Sequence, residues 1–242
     1  MEKERIRSII EQGRRIVFFG GAGTSTESGI PDFRSASGLY AGGSGTPVPP
    51  ETILSRSFFV RQPEAFYTFY RSKMIYREAR PNAAHRALAE LERRGKLSAV
   101  VTQNIDGLHQ AAGSRTVFEL HGSVHRNYCM SCRAFYDLDY IVDSEDAVPV
   151  CSACGGTVKP DVVLYEEPLD AATWEGAAEQ IAKADVLIVG GTSLTVHPAA
   201  SLVTYYQGDK FIIINRDETP YDEYASVICR ESIGSVLGDA VN

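Results

Sequence analysis

Residues Arg15 to Arg34 read RIVFFGGAGTSTESGIPDFR. Arg15–Gly20 reads as a strand: its run Ile16 to Phe19 is continuously apolar, with no alternating polar position to turn toward water, which is the pattern of a strand covered on both faces. It breaks at once into Gly20-Gly21-Ala22-Gly23, followed by the hydroxyls of Thr24, Ser25 and Thr26. Glycines here let the backbone turn sharply and approach a ligand closely, and exposed N–H groups with helix-starting hydroxyls suit a diphosphate.

The same kind of run recurs outward from this stretch. Leu97–Thr102, Thr116–Leu120, Val162–Tyr165, Asp185–Gly190 and Lys210–Asn215 read as further short strands. Helical patterns fall between them at Glu4–Gln12, Pro63–Ala79, Ala83–Arg94, Ala171–Lys183 and Pro198–Gln207. Short apolar strands alternating with longer helices predict an α/β fold, a parallel sheet covered by helices on both faces. The 242 residues suffice for one large core and a smaller module. At 44% hydrophobic and 23% charged residues, the composition is that of a folded chain.

Two stretches interrupt the alternation. Ser35 to Pro50, SASGLYAGGSGTPVPP, is too long and too rich in Gly, Ser and Pro for an ordinary connection. Ser123 to Lys159 has too little apolar periodicity for a core layer, and it holds four of the five cysteines. Cys129 and Cys132 form one Cys-x2-Cys pair, and Cys151 and Cys154 form another eighteen residues on. That spacing predicts a closed tetrahedral zinc site, structural because four thiolates leave no open position for water or substrate. A redox dithiol would need only one pair. Cys229 stands apart and is expected to be a buried apolar residue.

A net charge of -7 disfavours direct nucleic-acid binding and leaves room for cationic partners. The acidic residues Asp137, Asp139, Asp143, Glu145 and Asp146 disfavour it for the cysteine segment too. No apolar run reaches the roughly 18 residues of a membrane span, and the charged N-terminus is no secretory signal, so a cytoplasmic protein is expected.

The glycine motif departs from the dehydrogenase fingerprint. Counting from Gly21, Thr26 takes the third glycine position, and no Asp or Glu stands where a ribose-binding carboxylate would fall about 20 residues on. Two other strand ends carry polar clusters. Gln103-Asn104-Ile105-Asp106 follows Leu97–Thr102, and Gly191-Thr192-Ser193 follows Asp185–Gly190, both at the edge where open parallel sheets bind ligands. Asn104 and Asp106 read equally as caps of a following helix. His121, in Leu120-His121-Gly122, could take a proton near neutral pH, although a lone histidine at a strand end is more often a satisfied polar residue.

Four segments together resemble the sirtuin family: GAGTSTESGIPDFR (Gly21–Arg34), TQNIDGLH (Thr102–His109), LHG (Leu120–Gly122) followed by the four cysteines, and GTSLTVHPA (Gly191–Ala199). The resemblance implies a Rossmann-like sheet with a small zinc-binding and helical domain. The division expected is 1–34, 80–122 and 161–242 for the NAD-binding domain, 35–79 for a cofactor-binding loop and helical module, and 123–160 for a zinc ribbon. It implies that NAD is a co-substrate touched by Gly21, Ala22, Gly23, Thr26, Asp32, Phe33, Arg34, Gln103, Asn104, Ile105, Asp106, His121, Gly191, Thr192, Ser193, Asn215 and Ile233. By the same resemblance His121 is the catalytic base, Asn104 and Asp106 hold the reacting half of the cofactor, and His109 is structural. Val163, Leu164, Tyr165, Glu166 and Val196 would bind an acetyl-lysine peptide or protein as an added strand.

The reaction so implied is NAD-dependent removal of acetyl groups from lysine, releasing nicotinamide and O-acetyl-ADP-ribose, with no oligomer required. The acetyl oxygen attacks the ribose C1′ carbon, His121 takes a proton from the ribose hydroxyls, the acetyl group migrates, and water frees the product. A protein ADP-ribosyltransferase or NAD glycohydrolase would use the same pocket, and an NAD-sensing or zinc-ribbon interaction module would bind without turnover. Two departures from the family's pattern bear on substrate. Glu166 stands where a glycine is usual, so flanking-residue preference is expected to differ, with the carboxylate favouring basic flanking residues. The Tyr-x-x-Arg pair of sirtuins that take acidic acyl groups is replaced by Tyr67 and Tyr70, with Arg71 one position late, which predicts neutral acyl groups.

Overall fold

The first strand, β1 (Ile16–Gly20), is buried at every position, and its side chains divide alternately between two cores, as the two-residue period of a strand requires. Ile16 and Phe18 face a core shared with Ile6, Ile10, Leu88 and Leu237, whereas Val17 and Phe19 face one shared with Ile181, Leu202 and Val203. The computed structural model describes residues 2–32, 38 and 48–241. In it β1 is followed by β2 (Leu97–Thr102), β3 (Val117–Glu119), β4 (Gly122–Cys129), β5 (Phe135–Tyr136), β6 (Val158–Val162), β7 (Val186–Gly190), β8 (Phe211–Ile214) and β9 (Val227–Cys229). Six of these form one parallel sheet in the order β3-β2-β1-β7-β8-β9. The chain leaves β1 toward β2 and β3, then returns to β7 on the other side. The strand order therefore reverses between β1 and β7, and a crevice opens at their carboxyl ends.

Helices α1 (Glu2–Gln12), α5 (Ala83–Arg93) and α9 (Ile233–Val241) cover one face. On the other lie α8 (Ala171–Ala182) and a 3₁₀ segment, Ala199–Tyr205. The helix expected at Pro198–Gln207 is this 3₁₀ segment instead. Two further expectations are corrected. The strand expected at Val162–Tyr165 lies earlier, as β6, and pairs antiparallel with β4 outside the main sheet. The helix expected through Ala79 stops at Lys73, as α4 (Pro63–Lys73).

The remaining elements, α2 (Pro50–Ile53), α3 (Arg56–Arg61), α4 and α7 (Leu138–Val142), pack with the β5-β4-β6 sheet around a third core. Phe66, Tyr67 and Tyr70 from α4 meet Val124, Ile141 and Val158 from the cysteine segment. That segment was expected to lack a core. Its apolar residues are sparse along the chain, and they complete a core only because helices from residues 50–73 supply the other half.

A buried histidine pair lies behind the crevice. His85 and His109 have ring centroids 4.7 Å apart. The His85 Nδ1 accepts the Asn82 N–H at 3.3 Å, while His85 Nε2 and both His109 nitrogens have no hydrogen-bond partner among the described residues. Burial holds both rings well below the usual histidine range, so both are neutral at pH 7. The unfolded chain protonates them near pH 6.5 and the native chain does not, so this contribution is intact above pH 6.5 and declines on acidification. Stability is expected to fall by up to about 1.4 kcal/mol per histidine for each pH unit below 6.5. Urea midpoints at pH 7.0 and about 5.5 test this, with His109→Leu losing less between the two than the parent protein; equal losses contradict neutral burial.

Candidate active site

The crevice is built by two glycine turns in contact. After β1 the chain makes two short 3₁₀ turns, Ala22–Thr24 and Thr26–Ser28, in place of a long helix. Gly23 donates its N–H to the Gly191 carbonyl at 2.8 Å. A Cβ on Gly23 would lie 2.7 Å from the Gly191 Cα, and one on Gly191, whose φ is 60°, would lie 2.3 Å from the Thr24 nitrogen. Glycine is needed at both positions for space, and at Gly191 for backbone conformation as well.

The polar strand ends are tied to these turns. Gln103 donates its side-chain amide to Thr192 Oγ1 at 3.0 Å, linking the end of β2 to the turn after β7. The Gln103 carbonyl lies 3.0 Å from His121 Nδ1. A carbonyl can only accept, so the His121 Nδ1 carries the hydrogen and Nε2 keeps its lone pair. Burial lowers the His121 pKa below its usual value, partly offset by this hydrogen bond. The ring is thus held as a neutral base of defined tautomer.

Asp106 Oδ2 accepts from Ser25 Oγ at 2.6 Å, Asn104 Nδ2 donates to the same Ser25 oxygen at 3.0 Å, and Asp106 Oδ1 accepts from the Leu108 N–H at 2.9 Å. The N-cap of the following helix, Leu108–Ala111, is Gly107, so Asp106 is not the cap considered for it; one of its oxygens accepts the first helical N–H and the other is turned to Ser25. Ser25 is a functional candidate that residue-by-residue reading passed over, although it lies inside the first quoted motif; its signal is a hydroxyl buried to 1% exposure beside a glycine turn. Asn82 is another. It caps α5 through its carbonyl oxygen, and its amide donates to the Thr24 carbonyl at 2.8 Å and Ser28 Oγ at 3.0 Å, bracing the turn.

One cavity of about 700 Å³ is lined by Gly23, Ser25, Gln103, Asn104, Asp106, His121, Gly191 and Thr192, with Asn82 bracing the turn from outside the lining. Of the cofactor residues expected from the sequence, Gly21, Ala22, Gly23, Thr26 and Asp32 line it, with Gln103 to Asp106, His121, Gly191 to Ser193, Asn215 and Ile233. Phe33 and Arg34 lie outside the described residues, as does most of the loop that follows them. Val163 to Glu166 and Val196, expected to meet a peptide, are on the same wall. Tyr67 and Tyr70 are not. Both are fully buried in the third core, and Arg71 donates to the Ile141 and Asp146 carbonyls at 3.0 Å each. Glu166 takes a φ of 74°, which explains why a glycine is usual there. The left-handed backbone costs roughly 1–2 kcal/mol for a non-glycine residue, and hydrogen bonds from the Ser57 N–H and Oγ to the Glu166 carboxylate, both 2.9 Å, offset it.

The four cysteine sulfurs converge within 4.8 Å of one another, with Cys129–Cys154 and Cys132–Cys151 each at 3.5 Å. A tetrahedron of 2.3 Å Zn–S bonds has edges of about 3.8 Å, so the set fits zinc. Backbone N–H groups of Ser131 and Cys132 point at Cys129 Sγ, each at 3.4 Å, and the Tyr136 hydroxyl donates to Cys151 Sγ at 3.1 Å. The Tyr136 bond is the main cause that draws the Cys151 thiol down to about 6. Cys229 is buried apart from this set, in the first core, as expected.

The sequence model of the Sir2 family matches residues 21–198. The NAD-dependent protein deacetylase of Clostridium tetani is 56% identical over 239 residues, covering 99% of this chain and 97% of its own. A solved Sir2 protein with a deacetylated p53 peptide and 3′-O-acetyl-ADP-ribose superposes with a TM-score of 0.90 at 36% identity, covering 100% of this chain and 97% of the other. A Sir2–p53 peptide–NAD complex gives 0.86 at 37% identity, covering 98% and 96%. Among the described residues, no helix is long and apolar enough to cross a membrane.

A structural metal at the cysteines would hold the third core together from one end. Purified protein is expected to carry about one zinc per chain, and its removal by chelator to lower the melting temperature by on the order of 10 °C. Colorimetric zinc release followed alongside thermal unfolding checks both; a metal-free chain with an unchanged melting point contradicts it.

Proposed function

The chain belongs to the Sir2 family, and on that premise we propose that it is an NAD-dependent protein-lysine deacetylase, EC 2.3.1.286. The observation that carries the reading is His121, a neutral imidazole with a fixed tautomer on the wall of the same cavity as the glycine turns and the Ser25–Asn104–Asp106 network. NAD, when bound, supplies an electrophilic ribose carbon with nicotinamide as its leaving group.

The chain's own residues divide the remaining work. The turns at Gly21–Gly23 and Gly191–Ser193, which carry no bulky side chain at their glycines, let the diphosphate approach the main chain closely, with Ala22, Thr26 and Asp32 around it. Asn215 and Ile233, at the ends of β8 and the start of α9, take the adenosine half. Asn104 and Asp106 orient the nicotinamide ribose, and Ser25 is a positioning residue that fixes both. His121 Nε2 takes the proton from a ribose hydroxyl, which the Nδ1–H bond to the Gln103 carbonyl equips it to do. Val163 and Leu164 line the passage for the acyl-lysine, and Tyr165, Glu166 and Val196 meet the peptide main chain beside it. The Cys129, Cys132, Cys151 and Cys154 site is structural and lies apart from these groups. Lysine-acetylated proteins in a reducing, cytoplasmic setting are the partners this reading assigns.

Replacement of His121 by Tyr is expected to preserve the fold and reduce NAD-dependent deacetylation by at least about 100-fold, the scale of a lost general base. In the parent enzyme the acidic limb of kcat/KM should fall below pH 6.5, because burial lowers the base's pKa and only its neutral form accepts a proton. Retained activity in His121→Tyr sinks the assignment, and nicotinamide release without any acetyl-lysine would identify a glycohydrolase. Acyl choice has a separate test. Arg71 is spent on carbonyls and does not line the cavity, so acetyl peptide is expected to turn over at least about tenfold faster than its succinyl counterpart. Comparable rates on the two peptides would refute the neutral preference.

A further inference from the structure

Leu164 to Glu167 form one rim of the cavity, and their backbone groups are divided among neighbours. Tyr165 donates its N–H to the Leu54 carbonyl at 3.0 Å, and its carbonyl accepts the Arg56 N–H at 2.9 Å. Leu164 is closed on itself by the turn: its N–H goes to the Glu167 carboxylate at 2.9 Å, and its carbonyl accepts the Glu167 N–H at 3.0 Å. Among the described residues the N–H and C=O of Glu166 have no partner, so this is where an extended peptide can add to the rim.

The Glu166 side chain is both immobilised and charged. Ser57 supplies two neutral donors, its N–H and its hydroxyl, each at 2.9 Å. The cations nearby are committed elsewhere, since Arg56 and Lys159 pair with Glu167 at 3.0 and 3.1 Å. Among the described residues the Glu166 carboxylate therefore has no ion-pair partner, although it lines the cavity.

We propose that Glu166 is a specificity-determining residue, whose carboxylate, fixed at the rim by Ser57, selects peptides with arginine or lysine flanking the acyl-lysine. The inference rests on the deacetylase reading for its peptide ligand. Glu166 is in a left-handed turn, so a peptide bonded to its free N–H or C=O passes directly beside its carboxylate, and a long flanking arginine or lysine side chain can reach it. Holding the carboxylate in place beforehand removes the ordering cost that weakens most exposed ion pairs. The charge remains open to solvent, so the effect is modest and sensitive to salt.

The test uses acetyl-lysine peptides identical except for Arg or Glu at the two positions on either side of the modified lysine. The parent enzyme at low ionic strength is expected to favour the Arg peptides by about threefold to tenfold in kcat/KM, and by less at about 0.5 M salt. Glu166→Gln keeps acceptor capacity toward Ser57 without the charge and should bring the ratio close to one. Glu166→Gly removes the charge and the strained backbone together, so it serves if Gln is poorly tolerated at φ 74°. Equal kcat/KM for the two peptide sets in the parent, or an unchanged ratio in both variants, overturns the proposal. Fluorescence anisotropy of the labelled peptides makes the same comparison by binding. It therefore reads the charge preference even if no peptide were turned over, an outcome that would count against the deacetylase reading instead.

Discussion

The contact between Gly23 and Gly191 organises the rest of the molecule. Adjacent parallel strands β1 and β7 send their continuing chains to opposite sides, so a crevice opens above them, and the two turns meet there with only backbone between them. The 2.8 Å bond from Gly23 N–H to the Gly191 carbonyl closes that meeting point. A methyl group on either residue would force the turns apart, since the nearest atoms would lie at 2.7 and 2.3 Å. From there the constraint passes outward in steps. Thr192, next to Gly191, receives the Gln103 amide, and the carbonyl of Gln103 receives the His121 ring. The Gln103 carbonyl that sets the His121 tautomer is thus linked to the glycine contact through Thr192.

The small module is attached to the same frame by short main-chain bonds. Val124 donates to the Ile105 carbonyl and Val163 to the His121 carbonyl, both at 3.0 Å. Arg126 adds a side-chain bridge, reaching Glu119 at the end of β3 with one nitrogen and Asp161 in β6 with another. Since Glu119 lies two residues before His121, the segment bearing the base is braced from both the sheet and the module. The zinc-fitting cysteines sit at the far end of β4 from this junction, which explains how a metal can be scaffold here without entering the chemistry.

Much of this was legible along the chain. The strands β1, β2, β7 and β8 are apolar runs that end in glycine or polar clusters, and burial on both faces removes the ambiguity of a half-exposed strand. The cysteine spacing implied a single tetrahedral site, and the sulfurs do converge. The misreadings have local causes. Val162–Val163 looks like the start of a strand, but Val158, Pro160 and Val162 alternate inward against β4, so the strand sits earlier and in another sheet. Helix α9, IGSVLGDAV, went unread because two glycines and its short length hide an apolar face that covers the first core. Ser25 was inside a recognised motif, yet nothing along the chain shows that its hydroxyl joins Asp106 to Asn104.

By itself the sequence determined which segments are buried strands, where ligand-facing turns follow them, which cysteines act together and which family the motifs match. The strands, turns and cysteine pairs are written in periodicity and spacing and the family resemblance in the motifs themselves, and all of these are local. The tertiary structure alone decided that the cysteine segment and residues 50–73 share one core, that Tyr67 and Tyr70 belong to it rather than to the cavity, and that His121 is a neutral ring whose Nδ1 faces the Gln103 carbonyl. It also decided the state of Glu166. That residue reads as a simple departure from glycine until Ser57, more than a hundred positions away, is seen to hold its carboxylate at the rim. Each of these depends on a partner distant in sequence, and a hydrogen bond has no signature along the chain until folding brings donor and acceptor within reach.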